Sequence, residues 1–214
     1  MRVVARSVLE MGLDAPVVVA TDDQRVIDAV SGLEVEPLMT DPAHRSGTER
    51  VADVADLAQY REAEIIVNVQ GDEPLLPAEA VIGAVDMVHR GYPIGTAAAR
   101  MAHGAIEDPE RVKVVIDVDG RAMRFSRPYP SFRSWGARVD VMQHIGVYAY
   151  TRDAIERWVR LPELDAERHE RLEQLRPLRA GISIGVARLE QFAPPSIDTV
   201  DDLVRAETLL GAIR

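Results

Sequence analysis

Two short apolar runs, each ending in acidic or amide residues, restrict the fold more than any other feature of this chain. Val17-Val18-Val19-Ala20-Thr21 leads into Asp22-Asp23, and Ile65-Ile66-Val67-Asn68-Val69 leads into Gln70-Gly71-Asp72-Glu73-Pro74. Near-continuous apolar runs of this length suit strands buried on both faces, as in a parallel sheet. Helical periodicity follows each run, at about 23–31 and 78–90. A helix is also expected at 2–11, with Val4, Val8 and Met11 on one face and Gly12 as its stop. Short strands near 33–38 and 94–100 complete these units, and the polar loop His44–Arg50 opens a helix running to about 59.

The pattern changes beyond residue 110. Val112–Asp117 and Ala122–Ser126 flank Val118-Asp119-Gly120-Arg121, a hairpin with an Asp-Gly turn. His144–Tyr150 reads as another strand, helices follow at about 151–159 and 167–177, and Ser183–Ala187 is a late strand. Thr199 with Asp202 opens a last helix in a capping-box arrangement. Alternating βα units with a hairpin insert predict an α/β fold with a mostly parallel sheet. With 214 residues, 47% of them hydrophobic, the chain suits one domain spanning 1–214.

Composition narrows the chemistry. A net charge of -10 argues against nucleic acid or an anionic membrane surface as the main partner. The absence of cysteine rules out disulfides, thiolate metal sites and cysteine nucleophiles in these residues. No apolar run reaches the roughly 18–20 residues that span a bilayer, and Met1–Arg6 lacks a signal-peptide layout. A cytoplasmic protein without membrane insertion is expected. The sequence contains neither a Walker loop nor G-x-G-x-x-G, G-x-S-x-G or H-E-x-x-H. Nothing therefore points to a kinase, dehydrogenase, serine hydrolase or zinc enzyme.

The candidate chemistry lies at strand ends and loops. Gln70, Asp72 and Glu73 stand at the carboxyl end of a buried strand, where open α/β sheets bind ligands. An acid there can hold Mg²⁺ beside a nucleotide phosphate. The alternative is a polar turn whose acids cap the next helix. In Ser196–Asp202, Asp198 can face such a site, or it can simply cap. Ser46 and Thr48 offer hydroxyls before a helix, suited to base or phosphate contacts or to an ordinary N-cap. Arg127 can clamp a carboxylate or form a surface ion pair. His144 and Tyr148 lie four apart in a strand and so share a face, either in a site or in the core. Glu173 and Gln174 can bond sugar hydroxyls or form a helix's polar face.

Taken together and in order, these segments resemble the CMP-Kdo synthetase (3-deoxy-manno-octulosonate cytidylyltransferase) family. The matching segments are Val19–Asp22, His44–Arg50, Val67–Pro74, Val112–Val115, Phe125–Arg127, His144–Tyr148, Leu172–Arg176 and Ile197–Thr199. The pairing of Ser46-Gly47-Thr48-Glu49-Arg50 with Asn68-Val69-Gln70-Gly71-Asp72-Glu73-Pro74 is highly specific to that family. The resemblance implies a Rossmann-like nucleotidyltransferase sheet with helices on both faces. It also implies a dimerisation and sugar-binding insert at about 111–150. It implies formation of CMP-Kdo and pyrophosphate from CTP and Kdo, with Mg²⁺, for lipopolysaccharide biosynthesis. On this reading Asp72 and Asp198 are catalytic metal ligands, and Ser46, Thr48 and Gln70 lie near the nucleotide. Gln70, Arg127, His144, Tyr148, Glu173 and Gln174 line the Kdo site, in a homodimer.

The family opens with a strand and a phosphate-binding loop of the form Pro-Ala-Arg-x-x-Ser-(Thr/Ser)-Arg-Leu-Pro-Gly-Lys-Pro-Leu, and this sequence starts in the helix that follows. The chain is therefore expected to be N-terminally truncated relative to the family, with Met1 an internal methionine of a longer protein. Other readings remain open: a cytidylyltransferase for a related acid sugar, or a non-catalytic sugar-binding remnant. A metal-dependent glycosyltransferase is a further rival, since Asp117-Val118-Asp119 matches Asp-x-Asp, but its place at a hairpin turn reads as turn chemistry.

Overall fold

The computed structural model describes residues 1–102, 106–128, 139–197 and 199–213. It divides into two compact units, one formed by 1–63, 68–78 and 194–214, the other by 64–67 and 79–193.

The first unit contains α1 (Arg2–Glu10), β1 (Val18–Thr21), α2 (Gln24–Val30), β2 (Glu36–Met39) and α3 (Gly47–Ala55), with α8 (Val200–Ile213) from the chain's end. β1 and β2 pair in parallel, Val18 opposite Glu36 and Thr21 opposite Met39. The pairing continues past both ends, through Glu36 N to Val17 O at 2.9 Å and Thr40 N to Thr21 O at 2.8 Å. Ala5, Val19 and Val30 form the core here, covered by Val26, Leu33 and Val35. One buried face each on a strand and two short helices is what the apolar spacing of this stretch dictates. α2 starts where Asp23 accepts the Arg25 amide at 2.8 Å, and this cap is why the helix begins directly after the strand's acids.

The second unit is built on a mixed sheet ordered β6–β5–β7–β4–β8, with β3 also pairing with β7. Its strands are β3 (Ile65–Val69), β4 (Ile94–Arg100), β5 (Lys113–Ile116), β6 (Ala122–Ser126), β7 (Asp140–Thr151) and β8 (Ile184–Phe192). β3 begins in this unit and its last residues belong to the first. β4 and β8 are parallel, as βα units require, whereas β5–β6, β5–β7 and β4–β7 are antiparallel because the hairpin insert joins the same sheet. The α/β class expected from the sequence is the one observed, but the sheet of this unit is mixed rather than mostly parallel, because the hairpin insert and β7 add antiparallel pairs.

The hairpin turn closes on Asp117. Its carboxylate accepts the amides of Asp119 at 3.0 Å and Arg121 at 2.8 Å, and Gly120 takes a φ of +88°. Asp117-Val118-Asp119 is thus turn chemistry, with the Asp117 carboxylate engaged by main-chain amides. The helix expected over 167–177 is instead two short ones, α6 (Asp165–Glu170) and α7 (Leu175–Arg179). Arg171 enters the left-handed region at φ 53°, which ends α6 and turns Leu172-Glu173-Gln174 off its axis. Periodicity alone missed this break because no glycine or proline marks it.

α4 (Ala78–His89) lies so close to β4 and β8 that glycine is required at the contacts. A Cβ on Gly95 would stand 1.9 Å from the Ala84 carbonyl oxygen, and one on Gly185 would stand 2.9 Å from the Met87 Cβ. Behind the sheet Trp158 of α5 (Arg152–Arg160) is fully buried against Tyr148 and Tyr150, at ring distances of 5.8 and 5.7 Å. Gly95→Ala has no flexible atom to displace, only backbone. It should cost about 3 kcal/mol or more in urea unfolding, and an unchanged midpoint would contradict the close approach.

Candidate active site

The first unit brings two of the motif segments together. Ser46 caps α3 by accepting the Glu49 amide at 3.3 Å, and Glu49 returns the bond to the Arg45 amide at 2.8 Å. This reciprocal pair stabilises the loop and leaves Ser46 half-buried and Thr48 fully buried in the first turn. Arg50, one turn on, reaches the Asp22 carboxylate at 3.2 Å and donates to the Thr40 hydroxyl. The Ser-Gly-Thr-Glu-Arg loop is thereby tied to the carboxyl end of β1.

Gln70 and Asp72 are half-buried where β3 ends, and Glu73 is buried. Gly71 has no left-handed φ, so the turn does not depend on glycine for conformation; a Cβ there would meet only the flexible end of Met1. The Asp72 carbonyl accepts the Ile197 amide at 2.9 Å, which brings the residue preceding Asp198 onto the Asp72 main chain. Asp198 itself lies outside the described residues. Beyond it, Thr199 and Asp202 form the expected capping box. The Thr199 amide donates to the Asp202 carboxylate at 3.1 Å, and the Asp202 amide to the Thr199 hydroxyl at 3.2 Å. With Thr199 and Asp202 committed to the helix start, Asp198 is not needed as its cap. Among the described residues no group of three or more His, Asp or Glu side chains could hold a metal by itself. An ion bound by Asp72 and Asp198 would thus need further oxygens from its ligand, the usual manner of Mg²⁺ on a phosphate.

The second unit gathers the remaining candidates. His144 and Tyr148 project from β7 with ring centroids 5.3 Å apart, and Phe125 of β6 meets the His144 ring edge-on, also at 5.3 Å. The His144 Nε2 lies 2.9 Å from the hydroxyl of Thr96, a fully buried residue of β4. Burial pushes the His144 imidazole down to about 3, so the ring is neutral over the physiological range. Burial, with the neighbouring Tyr150 and Glu173, pushes the Tyr148 phenol well above 10. Glu173 and Gln174 lie on the turn between α6 and α7, Gln174 buried.

Arg127 is no simple surface ion pair. Its Nε donates to the Glu170 carbonyl at 2.8 Å, its Nη1 to the Glu110 carbonyl at 2.9 Å, and its amide to the Glu170 carboxylate at 3.2 Å. The Glu110 carboxylate is more distant, at 3.8 Å. Held at Nε and Nη1, the guanidinium keeps its Nη2 without a hydrogen bond among the described residues, which leaves that group for an incoming carboxylate.

Sequence reasoning missed the residues that hold these groups in place. Lys113 is buried in β5, and its Nζ donates to the carbonyls of Asp108 and, at 2.7 Å, Arg127. Burial lowers its pKa, with Asp108 opposing and Arg127 assisting. A lysine inside the run Val112-Lys113-Val114-Val115 was the available signal, since a charge at a core position needs partners. Glu167 and Arg176 form a bidentate pair, Nε to Oε2 at 2.9 Å and Nη2 to Oε1, with both side chains under a tenth exposed. The pair closes the turn that carries Glu173 and Gln174.

Comparison with known proteins gives a consistent result. A family model described as cytidylyltransferase matches residues 1–184. The 3-deoxy-manno-octulosonate cytidylyltransferase of Gemmatimonas aurantiaca is 43% identical over 211 residues, covering 96% of this chain and 81% of the relative. That of Stenotrophomonas maltophilia is 41% identical over 223 residues, covering 98% and 86%. The solved structure of CMP:2-keto-3-deoxy-manno-octonic acid synthetase complexed with CTP superposes with a TM-score of 0.84 at 33% identity, covering 99% of this chain and 88% of that one. The inositol-1-phosphate CTP transferase from T. maritima, at 15% identity and TM-score 0.62, shares the fold.

Two outcomes test this geometry. Arg176→Met strands a buried carboxylate and should cost about 3–5 kcal/mol of stability, whereas Glu167→Leu with Arg176→Met should cost much less. Equal losses in a double-mutant cycle would contradict the pair. For His144 the ordinary value is 6.5 and the folded one about 3. Between these the unfolded chain binds a proton that the native one refuses, so stability falls as pH drops from 6.5 toward 3. His144→Gln should flatten that part of the unfolding curve, and an unaltered slope would refute the burial effect.

Proposed function

The chain belongs to the 3-deoxy-manno-octulosonate cytidylyltransferase (CMP-Kdo synthetase) family, and from that premise we propose that it forms CMP-Kdo and pyrophosphate from CTP and Kdo, for lipopolysaccharide biosynthesis. The observation that carries the sugar half of this reading is the aromatic platform of Phe125, His144 and Tyr148, with Arg127, Glu173 and Gln174 in the same unit. Each is held by main-chain bonds, ring contacts or a buried ion pair.

In this proposal the Arg127 guanidinium takes the Kdo carboxylate through its Nη2, while His144, Glu173 and Gln174 take hydroxyls. The Tyr148 ring supplies an apolar wall beside His144. Ser46, Thr48 and Gln70 lie near the nucleotide. The anomeric hydroxyl of Kdo attacks the α-phosphorus of CTP in line with departing pyrophosphate. Catalysis of such a transfer rests on positioning and on neutralising phosphate charge. Asp72 and Asp198 would hold Mg²⁺; the Ile197–Asp72 bond and the capping box that relieves Asp198 of helix duty support this assignment. When bound, the ion neutralises phosphate oxygens and lowers the pKa of a coordinated hydroxyl.

The proposal extends to a cytoplasmic homodimer that uses the region of about 111–150, of which 129–138 lie outside the described residues. No helix among the described residues is long and apolar enough to cross a membrane.

The deciding assay is pyrophosphate release from CTP, Kdo and Mg²⁺, run on these 214 residues and with any upstream coding sequence restored. Related acid sugars run in parallel. Kdo-dependent release is expected, and a preference for another acid sugar would redirect the substrate assignment. Asp72→Asn should lose about 10²–10³-fold in turnover; near-normal turnover would overturn the metal role of Asp72.

A further inference from the structure

A break in the register of β4 and β7 places one buried hydroxyl between two acceptable partners and decides the state of a neighbouring imidazole. Thr96 lies opposite Tyr148 and Ala97 opposite Ile145, so Gly146 and Val147 are additional residues on β7 without counterparts on β4. Thr96, fully buried at this bulge, turns its Oγ1 to the Val147 carbonyl at 2.6 Å and to His144 Nε2 at 2.9 Å. Two oxygens 2.6 Å apart need a proton between them. A carbonyl carries none, so the single hydroxyl proton points to Val147, and toward His144 the hydroxyl can only accept.

We propose that Thr96 is a positioning residue that fixes His144 as the Nε2–H tautomer, leaving Nδ1 bare as an acceptor for a hydroxyl of the acid sugar. The sugar-facing part rests on the function proposed above; the tautomer does not. Nδ1 has no hydrogen-bond partner among the described residues, and His144 is only half-buried. The ring cannot swivel to exchange its nitrogens freely. Phe125 meets it at 87° and Tyr148 at 44°, both with centroids 5.3 Å away. The imidazole is neutral at physiological pH, so Nδ1 carries no second proton.

The consequence is directional. A bare nitrogen favours a ligand hydroxyl and disfavours a carboxylate or keto oxygen at the same place, since two acceptors cannot share a proton that neither has. His144 would thus help to orient the sugar acid so that its carboxylate lies toward Arg127 rather than toward β7.

The test reads the tautomer directly. Long-range ¹H–¹⁵N correlation on ligand-free, histidine-labelled protein at pH 7 resolves the five histidines, with His144→Gln giving the assignment. Wild type should show His144 protonated at Nε2 and bare at Nδ1. Thr96→Ser should keep that pattern. Thr96→Val should shift it toward the other tautomer, and should raise KM for Kdo roughly three- to tenfold with kcat little changed, the scale of one neutral hydrogen bond. A wild-type His144 protonated at Nδ1 overturns the proposal, as does an unchanged tautomer in Thr96→Val. Should the valine variant fail to fold, the wild-type spectrum and the Kdo KM of Thr96→Ser decide instead. A wild-type-like KM in Thr96→Ser supports the proposal, and one raised as expected for the valine change overturns it. The expected tautomer in a protein that neither binds nor turns over Kdo overturns the sugar-facing half, and it does so without touching the spectroscopic one.

Discussion

Burial away from water makes an unpartnered backbone group costly, and β7 is where that constraint is concentrated. This strand pairs with β3, β4 and β5, so any irregularity in it must be satisfied by its neighbours rather than by solvent. At the Gly146-Val147 bulge the ladder with β4 breaks register, and the Thr96 hydroxyl bonds the Val147 carbonyl. The same bond leaves Thr96 only an accepting role toward His144. A local defect in pairing therefore becomes a fixed orientation in the site.

The same economy of polar groups recurs around Arg127 and the α6–α7 turn. Lys113 bonds the Arg127 carbonyl from inside β5, and Glu170 bonds the Arg127 side chain from the end of α6. The Glu167–Arg176 pair then fixes the turn that follows Glu170. Buried ion pairs contribute little net stability compared with apolar packing, but each one broken is costly. Their effect here is to tie together the two short helices that flank the turn carrying Glu173 and Gln174.

In the first unit positioning comes mainly from helix caps. Ser46 with Glu49, and Thr199 with Asp202, each satisfy amides that a helix start would otherwise leave open. The caps hold the loop that carries Ser46 and Thr48, and the start of α8, in definite conformations.

Much of the fold was legible because it depends on short-range rules. Apolar runs ending in acids marked β1 and β3, the Asp-Gly turn marked the β5–β6 hairpin, and Thr199 with Asp202 marked the start of α8. The candidate site residues were legible only as a set of motifs in order, since a strand-end acid or a lone histidine is ambiguous by itself. What the sequence determined was therefore the order and type of most elements and which residues are candidates for the chemistry. Tertiary structure decided the rest. The bulge opposite Thr96 and the burial of Lys113, Glu167 and Arg176 depend on partners up to 51 residues away, and the left-handed Arg171 divides α6 from α7. Periodicity reports on neighbours within one or two turns of chain, whereas the proton on His144 is set by a strand that the chain reaches only after folding.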